Sequence, residues 1–400
     1  MENSAHLVKM TTSPSWRPFI MVSLALCMGT IGTALASPLY PIYQQLWGLL
    51  PSHITYIFVA YMFGCLATLL FLGRTSNSFG FLRTLQIGMA CIILGLSLSV
   101  FASNALWLSI GRFIIGIASG LISTSAMLGL VYTIPEPHKN NAPQWSSIIT
   151  VIGFGLGPFI GGVIAQFSEQ PLVTPYIPVI FGGVACLMGL FFIRTPNFEP
   201  QPFSVAPHLE LPEKRDHSRF YIAGLTAFCA FGSFSLFASL APSFVKDAIP
   251  WHGPLVSGSA IASILLVSAV VQFMAKSIPS AKCVNAGLIV LILSYALLAL
   301  CMTQHWSALF FISDILVGVG HGLGLLGAFG LVHQMTNNQN RAAVISTYLF
   351  IGYLGTIIPI IAAGYLSDHF GLMVGVLGFC IGVGLLCIGL LLWHRSLNTN

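Results

Sequence analysis

Charge is what this 400-residue chain has least of: Asp, Glu, Lys and Arg together make up 6% of it. A soluble domain carries about 25%, so this chain could not cover its own surface in water. Its nine cysteines form no CxxC pair, which excludes a zinc ribbon and gives no sign of a disulfide framework. It also lacks a phosphate loop, a soluble nucleotide fold and a His/Cys/acid metal cluster, so neither a cofactor nor a metal is expected and ATP-driven transport is disfavoured. No Asn-x-Ser/Thr acceptor occurs; with the short loops, this fits a bacterial inner membrane. What remains is 56% hydrophobic residues and a mean hydropathy of +0.90. The apolar runs are about twenty residues long, which fits membrane-spanning helices rather than the alternating tens of a barrel. The expected fold is all-α and integral to the bilayer, where each backbone group must be satisfied inside its own helix.

Runs bounded by charged or Pro/Asn clusters give twelve spans. The first six are near 18–40, 54–72, 84–102, 105–129, 145–167 and 175–193. The second six are near 221–245, 254–275, 284–302, 306–333, 342–366 and 372–393. A signal peptide competes at the N-terminus, where Arg17 precedes an apolar run ending in Ala34-Leu35-Ala36. That run exceeds the roughly 7 to 15 residues of a secretory core, so it reads as the first span. With both termini placed in the cytoplasm, Lys9, Arg17, Arg74, Arg83, Lys139, Arg194, Lys214, Arg215, Arg219, Lys276, Lys282, Arg341 and Arg395 fall inside and only Lys246 outside. This asymmetry is the positive-inside rule. It accounts for the net charge of +5 without a nucleic-acid partner.

The most polar internal stretch, Arg194 to Arg219, divides the chain into residues 1–193, a linker at 194–219 and residues 220–400. The two outer parts are alike. Arg112, Gly116 and Gly120 match Asp314, Gly318 and Gly322 at an offset of 202, and Gly73-Arg74 matches Ala275-Lys276 at the same offset. Pro158, Gly161 and Gly162 match Pro359, Ala362 and Ala363 at 201. Three matches at nearly one spacing imply a duplicated six-helix unit. Internal repeats of this kind mark secondary transporters, whose substrate site lies near the bilayer midplane.

The fifth span contains GFGLGPFIGG, from Gly153 to Gly162. In water each interior Gly would cost about 1 kcal/mol relative to Ala and the Pro about 3. In lipid, Gly153, Gly157 and Gly161 line one face and admit another backbone closely, while neighbours re-satisfy the carbonyl freed by Pro158. Two six-helix halves, a central linker and the pattern Gly153-x3-Gly157-Pro158-x2-Gly161-Gly162 resemble the major facilitator superfamily, and that pattern is similar to the antiporter motif of its drug:proton exchangers. Gln144 stands where the motif has an upstream glycine. Arg112, Gly116 and Gly120 are similar to the family's fourth-span motif. The resemblance implies that the glycine face of span 5 packs on span 8 of the opposite half and controls closure. A close-packed helix pair without a gating role is the alternative. The loop after span 2 keeps Gly73 and Gly80, with Arg83 beyond, but Asn77 replaces the acid that the family pattern carries there, so a charge latch built on that acid is absent.

Ionisable groups inside a span cost about 2.5 to 3.5 kcal/mol each at its centre and are functional by default. They are Arg112, Asp314 and His321. Asp314 and His321 lie about 10.5 Å apart along one helix face. In the preferred reading Asp314 carries the transported proton, Arg112 biases it or binds an anionic group, and His321 relays protons. The alternatives are a fixed Arg112–Asp314 ion pair, or separate pairing of the two with backbone carbonyls, with no transported proton, and for His321 a hydrogen-bonded interior histidine. Tyr40, Tyr61, Ser123 and Tyr353 are cavity candidates, and Phe228, Phe231, Phe234 and Phe237 are assigned to lipid contact and packing. The first span has no carboxylate, so neutral, weakly acidic or zwitterionic substrates are as well accommodated as cations. Three classes stay open: a monomeric proton-coupled exporter of small amphipathic compounds, an importer or uniporter of a small metabolite, and a membrane enzyme or sensor.

Overall fold

The computed structural model describes residues 16–136, 138, 142–193, 200–207, 209–248, 250–304, 306–337 and 339–399. Lys9, Lys139, Arg194 and the 194–199 start of the linker lie outside the described residues. The chain before the linker forms α1 (Arg17–Ala34), α2 (Tyr40–Trp47), α3 (Pro51–Ala67), α4 (Thr75–Phe79), α5 (Phe81–Val100), α6 (Ala105–Thr133), α7 (Ala142–Phe167) and α8 (Tyr176–Phe191). After it come α9 (His217–Ser239), α10 (Ala241–Ala248), α11 (Pro254–Met274), α12 (Ser280–Gln304), α13 (Ser307–Gln334), α14 (Arg341–Phe370) and α15 (Leu372–Thr399).

Among the described residues, eleven stretches are helical, long and apolar enough to cross a membrane, which makes this an integral multi-pass protein. The sixth expected span, α8, is apolar but only 16 residues long, about 24 Å against a hydrocarbon core of about 30 Å. The first is broken: α1 and α2 are separated by a 3-10 turn at Ser37–Leu39, where Pro38 and Pro41 each remove a backbone donor. At the other end of α2, Gly48 closes the helix in the left-handed region, φ 60°. A π turn, Thr68–Leu72, extends α3.

Helices α1, α3, α5, α6 and α8 pack mainly on one another and on α7, as do α9 and α12 to α15 on one another and on α11, while α7 and α11 also share a large mutual contact. The two groups meet through α7 against α11 and α14 against α3. A Cβ on Gly162 would fall on the Pro254 carbonyl and within 3.3 Å of Gly258 Cα, and one on Gly364 would fall 3.0 Å from Ser52 Cα. Gly162 and Gly364 are 202 residues apart, and so are Ser52 and Pro254. The contact between the halves is therefore made twice by equivalent positions. It also corrects the sequence pairing, because Gly162 corresponds to Gly364 and not to Ala363. The same end is fastened by Ser52 N donating to Asp368 Oδ1 at 3.0 Å and Ser243 Oγ donating to Gln44 Oε1 at 2.9 Å.

Candidate functional site

Each half places one charged residue on a glycine-bearing helix, seven residues in from its start at Ala105 or Ser307. On α6, Gly116 and Gly120 admit α3: a Cβ on Gly116 would strike the Tyr61 carbonyl and come within 2.9 Å of Gly64 Cα. On α13, Gly318 and Gly322 admit α11: a Cβ would come within 2.9 Å of Ile264 O or 2.7 Å of Ser268 O. One turn before those glycines, Arg112 therefore meets α3 and Asp314 meets α11.

Arg112 is 1% exposed. One terminal nitrogen donates to Thr33 O at 2.8 Å, its carbon lies 4.9 Å from the Tyr61 ring centre, and Nε has no partner. The Tyr40 hydroxyl lies beside this guanidinium, is fully buried, and finds no hydrogen-bond partner of good geometry. Asp314 is 2% exposed. Its Oδ2 is in hydrogen-bond contact with Ser263 Oγ while Oδ1 has no partner. Ser263 Oγ also lies 2.7 Å from Ala260 O. Arg112 and Asp314 thus have separate partners, and the fixed ion pair does not form here.

His321 is buried with Nδ1 2.8 Å from Ser268 Oγ, and Gln272 Nε2 donates to that oxygen at 3.1 Å. The Ser268 hydroxyl accepts from Gln272 and either donates to or accepts from His321 Nδ1, according to the imidazole tautomer. The Phe231 and Phe234 ring centres lie 6.0 and 6.1 Å from the imidazole, and the Tyr353 ring lies 5.7 Å from Phe231. Tyr353 is also an electrostatic neighbour of Tyr61. Tyr61 thus covers Arg112, while Tyr353 reaches His321 through Phe231. Tyr40, Tyr61 and Tyr353 are brought together, whereas Ser123 is half-buried outside this group. Two of the four phenylalanines flank His321, Phe237 is buried against Phe310, and none of the four is exposed. The expected packing is observed, with α9 turning this surface toward α13 and α14.

A second correction concerns α7. Cβ atoms on Gly157 and Gly161 would come within 2.6 Å of Ile31 O and Leu35 O, and one on Gly153 would reach Thr30 and Cys27 O, so this face packs on α1 of the same half. Gly155, Pro158 and Gly162 meet α11 instead. At about 100° per residue the two sets lie on opposite sides of the helix, so the i, i+4, i+8 stripe is not the surface that meets span 8.

In the loop after α3, Gly80 sits at φ 80° and starts α5. The linker covers this loop: Gln201 N donates to Asn77 O at 3.0 Å and the Phe79 and Phe203 rings stand 5.5 Å apart. A cavity of about 790 Å³ opens beside it, bounded by Asn77, Arg83, Gln86, Tyr132, Phe191 and Pro200. Farther on, Glu210 O accepts from Thr347 Oγ1 of α14 at 2.7 Å. Gly73 ends the π turn that extends α3.

Sequence reading missed Ser263, Ser268, Gln272 and the Thr33 carbonyl. A signal for Ser263 existed, since it lies 202 residues after Tyr61. The other three carry none.

Over 135 residues, 32% of its length, the chain is 32% identical to the MFS-type transporter gkaD of Penicillium citrinum, covering 23% of that protein. Over 212 residues, 50% of the chain, it is 26% identical to the synaptic vesicular amine transporter of Rattus norvegicus, covering 39% of it. The methylenomycin A resistance protein of Bacillus subtilis is 24% identical over 196 residues, 48% of the chain and 41% of the relative. The matches thus span less than half the length of these relatives. In fold, the chain superposes on a D-xylose-proton symporter with a TM-score of 0.72 at 14% identity, covering 94% of this chain and 97% of that one. A bacterial homolog of the human lysosomal transporter Spinster, inward-facing and occupied, gives 0.72 at 14% identity, covering 94% and 96%. Residues 22–358 match the family profile, and the chain belongs to the Major Facilitator Superfamily of membrane transporters.

Proposed function

We propose that the chain is a proton-coupled exporter of small amphipathic compounds, working by alternating access of residues 1–193 against 220–400 about the 194–219 linker. In this reading it sits in a bacterial inner membrane with both termini cytoplasmic. The halves are fastened at the end opposite the linker, so the state described is closed to the outside. A resistance protein and amine transporters among the relatives support export.

The observation that carries the reading is the hydrogen-bond valence at Asp314. Ser263 has one hydroxyl proton and two acceptors in reach, Ala260 O and Asp314 Oδ2. Both contacts become full two-centre hydrogen bonds when Asp314 brings its own proton and donates it to Ser263 Oγ, rather than sharing the one serine proton between two acceptors. A carboxyl that holds a proton in the outward-closed state and releases it when the halves rearrange is what exchange requires. The His321–Ser268–Gln272 chain offers a polar route from mid-bundle toward the end of α11.

Reconstituted vesicles report the coupling directly. Lumenal pH is followed while matched naphthyl compounds, one neutral, one anionic and one cationic, are presented with protein-free vesicles as reference. Export predicts that one compound dissipates an imposed proton gradient through the protein, in the antiport direction. Movement of a labelled compound with no proton flux would make the chain a uniporter, and co-directional flux an importer.

A further inference from the structure

Among the described residues, Arg112 is a buried cation without a counter-ion. A guanidinium does not lose its proton inside a protein, and an uncompensated buried charge is costly. The deep-lying acid of the second half, Asp314, is engaged with Ser263, and Arg112 meets a carbonyl, a ring and the Tyr40 hydroxyl, all uncharged. None of them cancels its charge. Two hydrogen-bond donors at this spot also lack acceptors: Arg112 Nε–H and the Tyr40 hydroxyl, both shut off from water. Buried donors without partners are rare in folded proteins. Two of them beside one uncancelled positive charge form the recognition pattern of an oxyanion, which accepts from both and supplies the missing charge.

What covers the guanidinium describes the rest of the ligand. The Tyr61 ring lies against it and is itself half-buried, with Tyr353 of the opposite half as its neighbour. Phe231 continues the ring surface beyond Tyr353. An anion entering between the halves must displace Tyr61 and would leave its own body among aromatic faces.

We propose that Arg112 and the Tyr40 hydroxyl form the receptor for the carboxylate of an aromatic or apolar organic acid, with the anion serving as the counter-ion of the guanidinium. This rests on the transporter reading and names its substrate class. Binding is gated by Tyr61, so the closed site holds its charge uncompensated until the acid arrives.

The test is calorimetric binding to the purified full chain in detergent, with 2-naphthoate, 2-naphthylmethanol and 2-naphthylmethylammonium as probes of one ring size. Naphthoate is expected to bind at least about tenfold more tightly than the alcohol, the effect of a charge-assisted hydrogen bond. Tyr40→Phe removes one oxygen and keeps the ring, so it should weaken naphthoate about tenfold and leave the alcohol unchanged. Arg112→Lys keeps the charge without the fork and should weaken naphthoate as well. Equal affinity for the three probes, preference for the ammonium, binding by none of them, or a Tyr40→Phe effect common to acid and alcohol would overturn the proposal. Naphthoate binding without proton movement in vesicles sinks proton coupling and leaves this receptor standing. Proton-coupled movement of the ammonium alone does the reverse.

Discussion

The α6–α3 pair and the α13–α11 pair are one packing solution used twice with the charge inverted. Gly116 and Gly318 both let a helix approach to backbone contact, and the residue one turn earlier meets that neighbour at positions 61 and 263, again 202 apart. In the first half the pair is Arg112 over Tyr61, a permanent cation on an aromatic face. In the second it is Asp314 on Ser263, an acid on a hydroxyl. Duplication preserved the close approach, which any side chain would block, and let the charged position diverge. The arginine cannot release its proton at any working pH, whereas the carboxyl can. In the proposed reading, one half therefore carries a fixed field and the other a titrating group.

Glycine substitutions break this comparison with the largest expected effect. Gly116→Val should abolish folded protein, because its Cβ meets the Tyr61 carbonyl and Gly64 backbone, which cannot yield cheaply; overpacking of this kind costs about 3 kcal/mol or more. Gly318→Val meets Val267 Cβ at 2.8 Å and Ile264 O at 2.9 Å, a looser approach than that to Tyr61 O at Gly116, and should lose less. Thermal denaturation in detergent ranks the two, and an identical loss would mean that the pairs are not packed alike.

Next come the two faces of α7. Gly157→Leu pushes on α1 within one half and should lower the melting temperature. Gly162→Leu pushes on Pro254 and Gly258 across the interface, and should leave folding intact while reducing exchange. If both variants lose stability equally, the α11 face has no role separate from packing. The smallest effects are expected from the hydroxyls. Ser263→Ala should slow proton-driven exchange about three- to tenfold, as loss of one hydrogen bond to a charged or charge-bearing group allows, and Ser268→Ala should slow it less. An unchanged rate in Ser263→Ala would remove this serine from the proton site.

Much of the bundle was legible because hydropathy and the positive-inside bias locate spans without reference to packing. The break between α1 and α2 was hidden by apolar neighbours around Pro38 and Pro41, and α8 looked longer because Ile193 and its neighbours continue the apolar run. The repeat was readable at Arg112 and Asp314, where the glycines fix the register. At Tyr61 and Ser263 only the offset of 202 could be read, because the two halves use unlike side chains there. The partner of each α7 face was also out of reach, since a stripe of glycines says that a backbone comes close and not which one. The linker covering Asn77 left no mark in the sequence beyond its prolines.

The fixed-field and titrating-group account is tested most directly by Asp314→Asn in vesicles, comparing accumulation under a pH gradient with exchange of labelled for unlabelled compound. Accumulation should vanish while exchange continues at any pH, because the neutral side chain mimics the permanently protonated state. A variant that still concentrates its substrate in response to the gradient would contradict it.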